Sequence, residues 1–230
     1  MITVRNSSER GYTKLPWLDS KHTFSFAEYR DDKHIHFGPL RVINEDVVAA
    51  GQGFGTHPHR DMEIITYVID GALEHKDSMG TGSVIKAGEV QRMTAGTGVA
   101  HSEFNHSKSQ PVHFLQIWII PEKSGIAPGY EQHEVNLQPN EWKTVANSSG
   151  GNGTLTVHQD VVVLAARINS GHNLSYSPTK GAAWLQVVKG QVTVNNVAVK
   201  AGDGAAVVDE PSLEINAAGD SEVLLFDLRT

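Results

Sequence analysis

The chain has no cysteine among its 230 residues, so neither disulfides nor thiolate ligation of a metal can enter its structure or chemistry. It also has no apolar run approaching the roughly 20 residues that cross a bilayer as a helix. Residues 1–10 lack the apolar stretch of a secretory signal. These absences predict a cytoplasmic protein with no membrane association. Clusters of basic residues are missing as well. With 19 Lys and Arg against 26 Asp and Glu the formal net charge is −7. Binding a phosphate backbone needs a concentrated basic patch, so no direct nucleic-acid partner is expected. Helical periodicity is scarce, and only residues 122–146 are expected to hold a short helix.

What remains is a chain of short extended segments. Residues 63–69, 113–120, 155–168, 184–188 and 223–228 are rich in β-branched and aromatic side chains, and Gly, Asn, Asp or Pro bound them. Residues 191–200 read as a hairpin turning on Asn195-Asn196, because Asn tolerates the positive φ that such turns require. Residues 147–153, Asn-Ser-Ser-Gly-Gly-Asn-Gly, read as a flexible surface turn. The fold class is therefore all-β, a sandwich or barrel. The two halves share a pattern. Glu63 to Gly71 followed by Lys86-Ala-Gly-Glu89 parallels Ala182 to Gly190 followed by Lys200-Ala-Gly-Asp203, as a duplication would produce.

Twelve histidines in a cysteine-free chain make imidazole the first place to look for chemistry. Two stretches stand out: Gly51 to Glu63, containing His57-Pro-His59, and Gly88 to Asn105, containing His101-Ser-Glu103. Residues two apart on a strand share a face, so His57 pairs with His59 and His101 with Glu103. Two such arms meeting across a barrel would present three imidazoles and a carboxylate to one divalent ion. Glu63 is the alternative carboxylate. It has the parity of His59, but four strand residues place it roughly 13 Å away unless the chain bends. Glu103 needs no bend and is favoured, with Glu63 expected in a supporting or structural role. Gly96 and Gly98 are expected to close a loop rather than cradle a phosphate, since no helix pattern follows. His75 and Asp77 are expected at a solvated hairpin end. His22, Phe24 and Phe26 are expected to pack an N-terminal strand on the core, and Trp118 to fill core. His34, His36 and His106 have no partner at ligand spacing and are expected on the surface. Counting back from Gly190 as from Gly71 places Tyr176 and Pro178 where His57 and His59 stand, and Ala182 where Glu63 stands. No histidine follows Gly202. One metal per chain is expected.

These two stretches resemble the paired cupin motifs, although the second has an extended loop before His101 and Thr94 where many cupins have Pro. More closely, the chain resembles bacterial pirins. His22 to Tyr29, Gly51 to Glu63, Glu74-His-Lys-Asp-Ser-Met-Gly80, Ala95 to Glu103 and the region of Gln116-Ile-Trp118 match pirin signatures, which together cover roughly residues 17 to 121. The resemblance implies a bicupin of two β-barrel, jelly-roll domains. A metal-binding domain would span residues 1–130, and a second domain without the metal site residues 131–230. It implies one divalent transition metal held by His57, His59, His101 and Glu103, with Fe(II) favoured and Mn, Co, Ni, Cu or Zn as alternatives. It further implies a dioxygenase that cleaves flavonols such as quercetin with dioxygen and releases carbon monoxide, Glu103 serving also as base. The site would carry a net charge near +1, suited to an anionic oxygen ligand. The competing implication is a metal-dependent regulatory module that binds a transcription factor or metabolic enzyme. A monomer is expected.

Overall fold

In the computed structural model, which describes residues 1–230, nearly every ordered segment is a strand, and the one helical element is the 3-10 turn Ser7–Glu9. The strands form two seven-stranded and two four-stranded sheets. Each half of the chain pairs one large sheet with one small one, giving two barrels.

The first large sheet runs in the order Gly129–Glu134, Glu89–Thr94, Glu63–Asp70, Val112–Ile119, Leu40–Val48, Leu18–His22, Gly11–Lys14. The small sheet opposite it is Gly53–His59, Val99–Asn105, Ala72–Asp77, Gly82–Lys86. The second half repeats this plan. Gly204–Val208, Ala182–Lys189, Ser221–Leu228, Val162–Ile168 and Lys143–Asn147 form the large sheet, and Asn173–Tyr176, Leu213–Ala217, Gln191–Val194, Val197–Lys200 the small one. The repeat legible in the sequence is thus a repeat of topology, except at the outer edge, where Leu155–Thr156 pairs parallel with Lys143–Asn147 and Gly11–Lys14 antiparallel with Leu18–His22.

The two units exchange an edge. Ile2–Arg5, at the start of the chain, pairs antiparallel with Gly204–Val208 and extends the second large sheet. Gly129–Glu134 covers the equivalent edge of the first, against Glu89–Thr94. Each of these two edges is thereby paired, and a short strand, Ile2–Arg5 or Gly129–Glu134, becomes the end of its sheet. Between the barrels lies a core of 24 buried residues drawn from both, among them Ile65, Tyr67 and Ile117 from the first and Trp184, Leu224 and Phe226 from the second.

Two local expectations differ. No helix forms within 122–146. The segment after Ile119 instead runs irregularly to Gly129–Glu134 and docks on Gly96, whose positive φ of 46° and 2.1 Å approach of Ile126 O to any Cβ require glycine. Residues 155–168 are two strands rather than one, Leu155–Thr156 and Val162–Ile168. The break includes His158, whose Nδ1 lies 3.2 Å from Glu63 Oε1 in the other barrel. The hairpin at 191–200 forms as expected, with Asn195 and Asn196 at φ 45° and 68°.

Alternation on Glu63–Asp70 explains where each side chain goes. Ile65, Tyr67 and Ile69 join the inter-barrel core, whereas Ile64, Thr66 and Val68 face into the first barrel. Ile64 and Val68 belong to two separate apolar patches of three and seven buried residues, and Thr66 sits between them in a polar interior.

Candidate metal centre

His57 and His59 lie on Gly53–His59, and His101 and Glu103 on Val99–Asn105. The two strands are antiparallel, with His101 opposite His57 and Val99 opposite His59. The register slips between His101 and Glu103, which faces Phe54. This bulge lets Phe54 and His57, of opposite parity, both face the barrel interior. His57 Nδ1 donates to the carbonyl of Gly55 within the bulge at 2.7 Å, leaving its Nε2 lone pair outward. At Gly53 a Cβ would meet Glu103 O at 2.2 Å, so only glycine permits this approach of the strands.

Ligand atoms of His57, His59 and His101 lie within 4.8 Å of one another, and so do those of His75, His101 and Glu103. His101 is common to both clusters. Its Nε2 is buried and has no hydrogen-bond partner, a costly condition for a polar atom unless something occupies the position facing it. Burial, reinforced by the neighbouring imidazoles, pushes the His101 pKa down to about 3 and that of His59 to about 4. Both rings are therefore neutral at physiological pH, with lone pairs available. Neutral imidazoles and a carboxylate form a donor set that fits a divalent transition metal.

Glu103 is held from behind. Gln91 Nε2 donates to Thr66 Oγ1, Thr66 Oγ1 to Gln116 Oε1, and Gln116 Nε2 to Glu103 Oε2, at 2.9, 2.9 and 2.7 Å. All four residues are buried. The polarity of this chain runs one way and aims a donor at the carboxylate, which fixes its orientation.

A cavity of about 240 Å³ opens beside these residues, lined by His57, His59 and Glu103 together with Leu18, Phe26, Phe54 and Trp118 on its apolar side and His22, Asn44, Asp46 and Gln116 on its polar side. Trp118 therefore lines the cavity rather than filling core, its ring edge-on to His59 at 4.9 Å and to Phe26 at 5.4 Å. Its parity on Val112–Ile119 is that of Gln116, the observation that marks it as inward-facing. Phe26 and His22 also face the cavity, and His22 is fixed by Asn44 at 2.9 Å and Thr13 at 3.0 Å. Burial pushes the carboxyl of Asp46 up to about 7, with Glu103 and Glu45 adding to the effect, and its Oδ1 has no partner.

Glu63 does not join the site. It is fully buried on the inter-barrel face, accepting from Thr94 Oγ1 at 3.1 Å and contacting His158 and Arg92. His75 and Asp77 contradict the expected solvated hairpin end: both side chains are fully buried and 2.9 Å apart. Leu73 shares their parity, and an apolar residue two and four positions before them was the signal available in the sequence. His34 is half-exposed on Asp31 and His106 exposed near Glu74, both away from the site.

The pirin family model matches residues 3–119, and a model described as the quercetinase C-terminal cupin domain matches residues 144–228. A quercetin 2,3-dioxygenase of Escherichia coli K12 is 48% identical over 229 residues, covering 99% of each chain. The crystal structure of the bacterial pirin YhhW from E. coli in complex with nickel(II) superposes with a TM-score of 0.95 at 48% identity, over 100% of this chain and 99% of that one. The E. coli protein YhaK aligns with a TM-score of 0.76 at 28% identity, over 90% and 92% of the two chains.

Proposed function

The chain belongs to the pirin family of double cupins, and from that premise we propose that it is a metal-dependent dioxygenase that cleaves flavonols such as quercetin, consuming one dioxygen and releasing one carbon monoxide. The single observation that carries this reading is the convergence of His57, His59 and His101 beside a cavity with aromatic walls.

His57, His59, His101 and Glu103 would hold one divalent metal. We assign Fe(II) as its native form, because imidazole–carboxylate sets with open positions suit oxygen-using iron. When bound, the metal lowers the pKa of an oxygen ligand and stabilises its anionic form. The chain's own residues do the rest. Phe26, Phe54 and Trp118 present flat apolar surfaces to a planar aromatic substrate. Glu103 Oε1 takes the proton of the flavonol 3-hydroxyl while Gln116 holds Oε2, so the base does not have to reorganise as the proton moves. Apolar walls exclude water from an anion that water would otherwise protonate.

The test is quercetin turnover by protein loaded with Fe(II), Ni(II), Co(II) or Zn(II). Loss of the flavonol absorption band should accompany equimolar oxygen uptake and carbon monoxide release, with Zn(II) supporting the least. Metal analysis of protein made without added metal should find iron, at one ion per chain. Glu103→Gln should lower kcat by about 100-fold or more, while Glu63→Gln should leave metal content unchanged. If every loaded form leaves the flavonol intact, the dioxygenase reading fails and a metal-dependent regulatory module takes its place.

A further inference from the structure

Beside His101 stands a second histidine, which clusters with His101 and Glu103 but whose two ring nitrogens both face protein groups. His75 is fully buried. Its Nδ1 lies 3.5 Å from His101 Nδ1, and its Nε2 lies 2.9 Å from Asp77 Oδ2. Tyr130 packs against its ring at 4.9 Å. Asp77 is anchored in turn: its Oδ1 accepts the backbone N–H groups of Met79 and Thr81, at 2.9 and 3.0 Å, in the four-residue turn that closes the hairpin. Only Oδ2 is directed at His75.

We infer that Asp77 and His75 are positioning residues that set the tautomer of His101. Resting on the metal-site reading above, this assigns them a task that reading leaves open. The Asp77 carboxylate can only accept, so the neutral form of His75 carries its proton on Nε2 and offers a lone pair at Nδ1. His101 therefore carries its proton on Nδ1, facing His75, and keeps Nε2 as a lone pair. Nε2 is the nitrogen left without a protein partner. A neutral imidazole has two tautomers, and the wrong one points an N–H at the metal. Partners of this kind typically change metal affinity by about 10- to 100-fold.

The chain of constraints makes a counterintuitive prediction. In Asp77→Asn the two backbone N–H groups hold the amide oxygen at the Oδ1 position, so the amide NH2 takes the Oδ2 position and donates to His75 Nε2. His75 must then carry its proton on Nδ1, directed at His101, which in turn must move its own proton to Nε2. The mildest substitution by size thus imposes the wrong tautomer. In His75→Asn, by contrast, the side-chain oxygen sits near the old Nδ1 position and still accepts from His101.

The experiment is a Ni(II) competition titration against a chelator on the full chain, with His57→Ala as control and nitrogen-15 NMR of the histidine rings in metal-free protein. Asp77→Asn should bind Ni(II) about 10- to 100-fold more weakly than wild type, His75→Asn within a fewfold of wild type, and Asp77→Asn should have no further effect in the His75→Asn background. The NMR of wild type should show His101 as the Nδ1–H tautomer, a readout that survives if a variant does not fold. A role in packing alone would make the loss follow the size of the truncation and add between the two sites. That pattern, or an Nε2–H tautomer for His101, overturns the inference. If His57→Ala keeps Ni(II) as wild type does, the ligand assignment itself is wrong; if His57→Ala loses Ni(II) and Asp77→Asn does not, only the relay is.

Discussion

The two barrels share one topology and differ in what fills them. Register makes the comparison residue by residue. His101 faces His57 in the first barrel, and Leu213 faces Tyr176 in the second. Glu103 faces His75, and Ile215 faces Val194. Thr66 lies between Gln116 and Gln91, and Leu185 between Leu225 and Ala205. Asn44 opposite Gln116 becomes Leu164 opposite Leu225. Asp46 opposite Phe114 becomes Ala166 opposite Val223. The second-barrel residues at the polar positions, Tyr176 apart, belong to one continuous core of 16 buried residues, while the first barrel's apolar interior is split into patches of seven and three. The mouths differ too. Where Trp118 lines the open cavity, the second barrel has Asp227, fully buried, which accepts from Tyr176 Oη, from Thr179 and from the Lys180 backbone and so ties the loop shut. On the same strands, one barrel has a polar interior around the candidate metal centre and the other a continuous apolar core.

If that division holds, separating the barrels is the most damaging change. Cutting the chain after residue 150 strips the first barrel of the second barrel's share of the 24-residue common core and leaves Ile2–Arg5 with no sheet to join. Neither fragment should unfold cooperatively in a denaturant titration. A soluble 1–150 fragment with a sigmoidal transition and full metal content would break the comparison outright.

Next in size is a swap across it. Ile215→Glu places at the second barrel's centre the residue type that the first accommodates as Glu103. With no Gln116 equivalent to receive it, only Leu225, the carboxylate is unpaired in an apolar core, and the loss should be on the order of 3 kcal/mol or more by urea denaturation. A loss under about 1 kcal/mol would mean that the second barrel admits water or charge.

The polar interior should itself weaken the first barrel, and pH exposes this. Burial raises the Asp46 carboxyl from an ordinary value near about 4 to about 7. A group whose folded pKa is raised contributes stability below its unfolded pKa and loses it as pH rises through the folded value. In metal-free protein Asp46→Asn should therefore be more stable than wild type at pH 8 by an amount of order 2–4 kcal/mol, with the difference shrinking toward pH 4. A pH-independent difference would show that Asp46 ionises freely in the fold. The corresponding second-barrel position, Ala166, has no such cost to relieve.

The smallest effect concerns the hairpins. The second barrel turns on two residues, Asn195 and Asn196, both at positive φ, and the first on the longer turn that anchors Asp77. Asn196→Gly relaxes the backbone at φ 68° and should stabilise by about 0.5 kcal/mol or less, measured as a shift in Tm, with metal affinity unchanged. A change in metal affinity would mean that the second barrel's turn is coupled to the site.

Much of this was legible in the linear sequence. The alternation of strands, the His-x-His and His-x-Glu spacings and the absence of any counterpart histidines after Gly202 are local or countable facts. They were enough to indicate two related all-β units, one of them with a candidate metal site. Other features depend on which strands become neighbours, and that is decided by long-range pairing. Parity places Glu63 on one face of its strand, but only the second barrel's arrival against that face makes it the partner of His158 instead of a ligand. By sequence His75 is expected at a solvated hairpin end. Pairing with Val99–Asn105 buries it beside His101. The break at His158 and the capture of Ile2–Arg5 by a sheet some 200 residues away likewise have no local signature. A strand's sequence specifies which side chains share a face; what that face meets is fixed only when the sheets close.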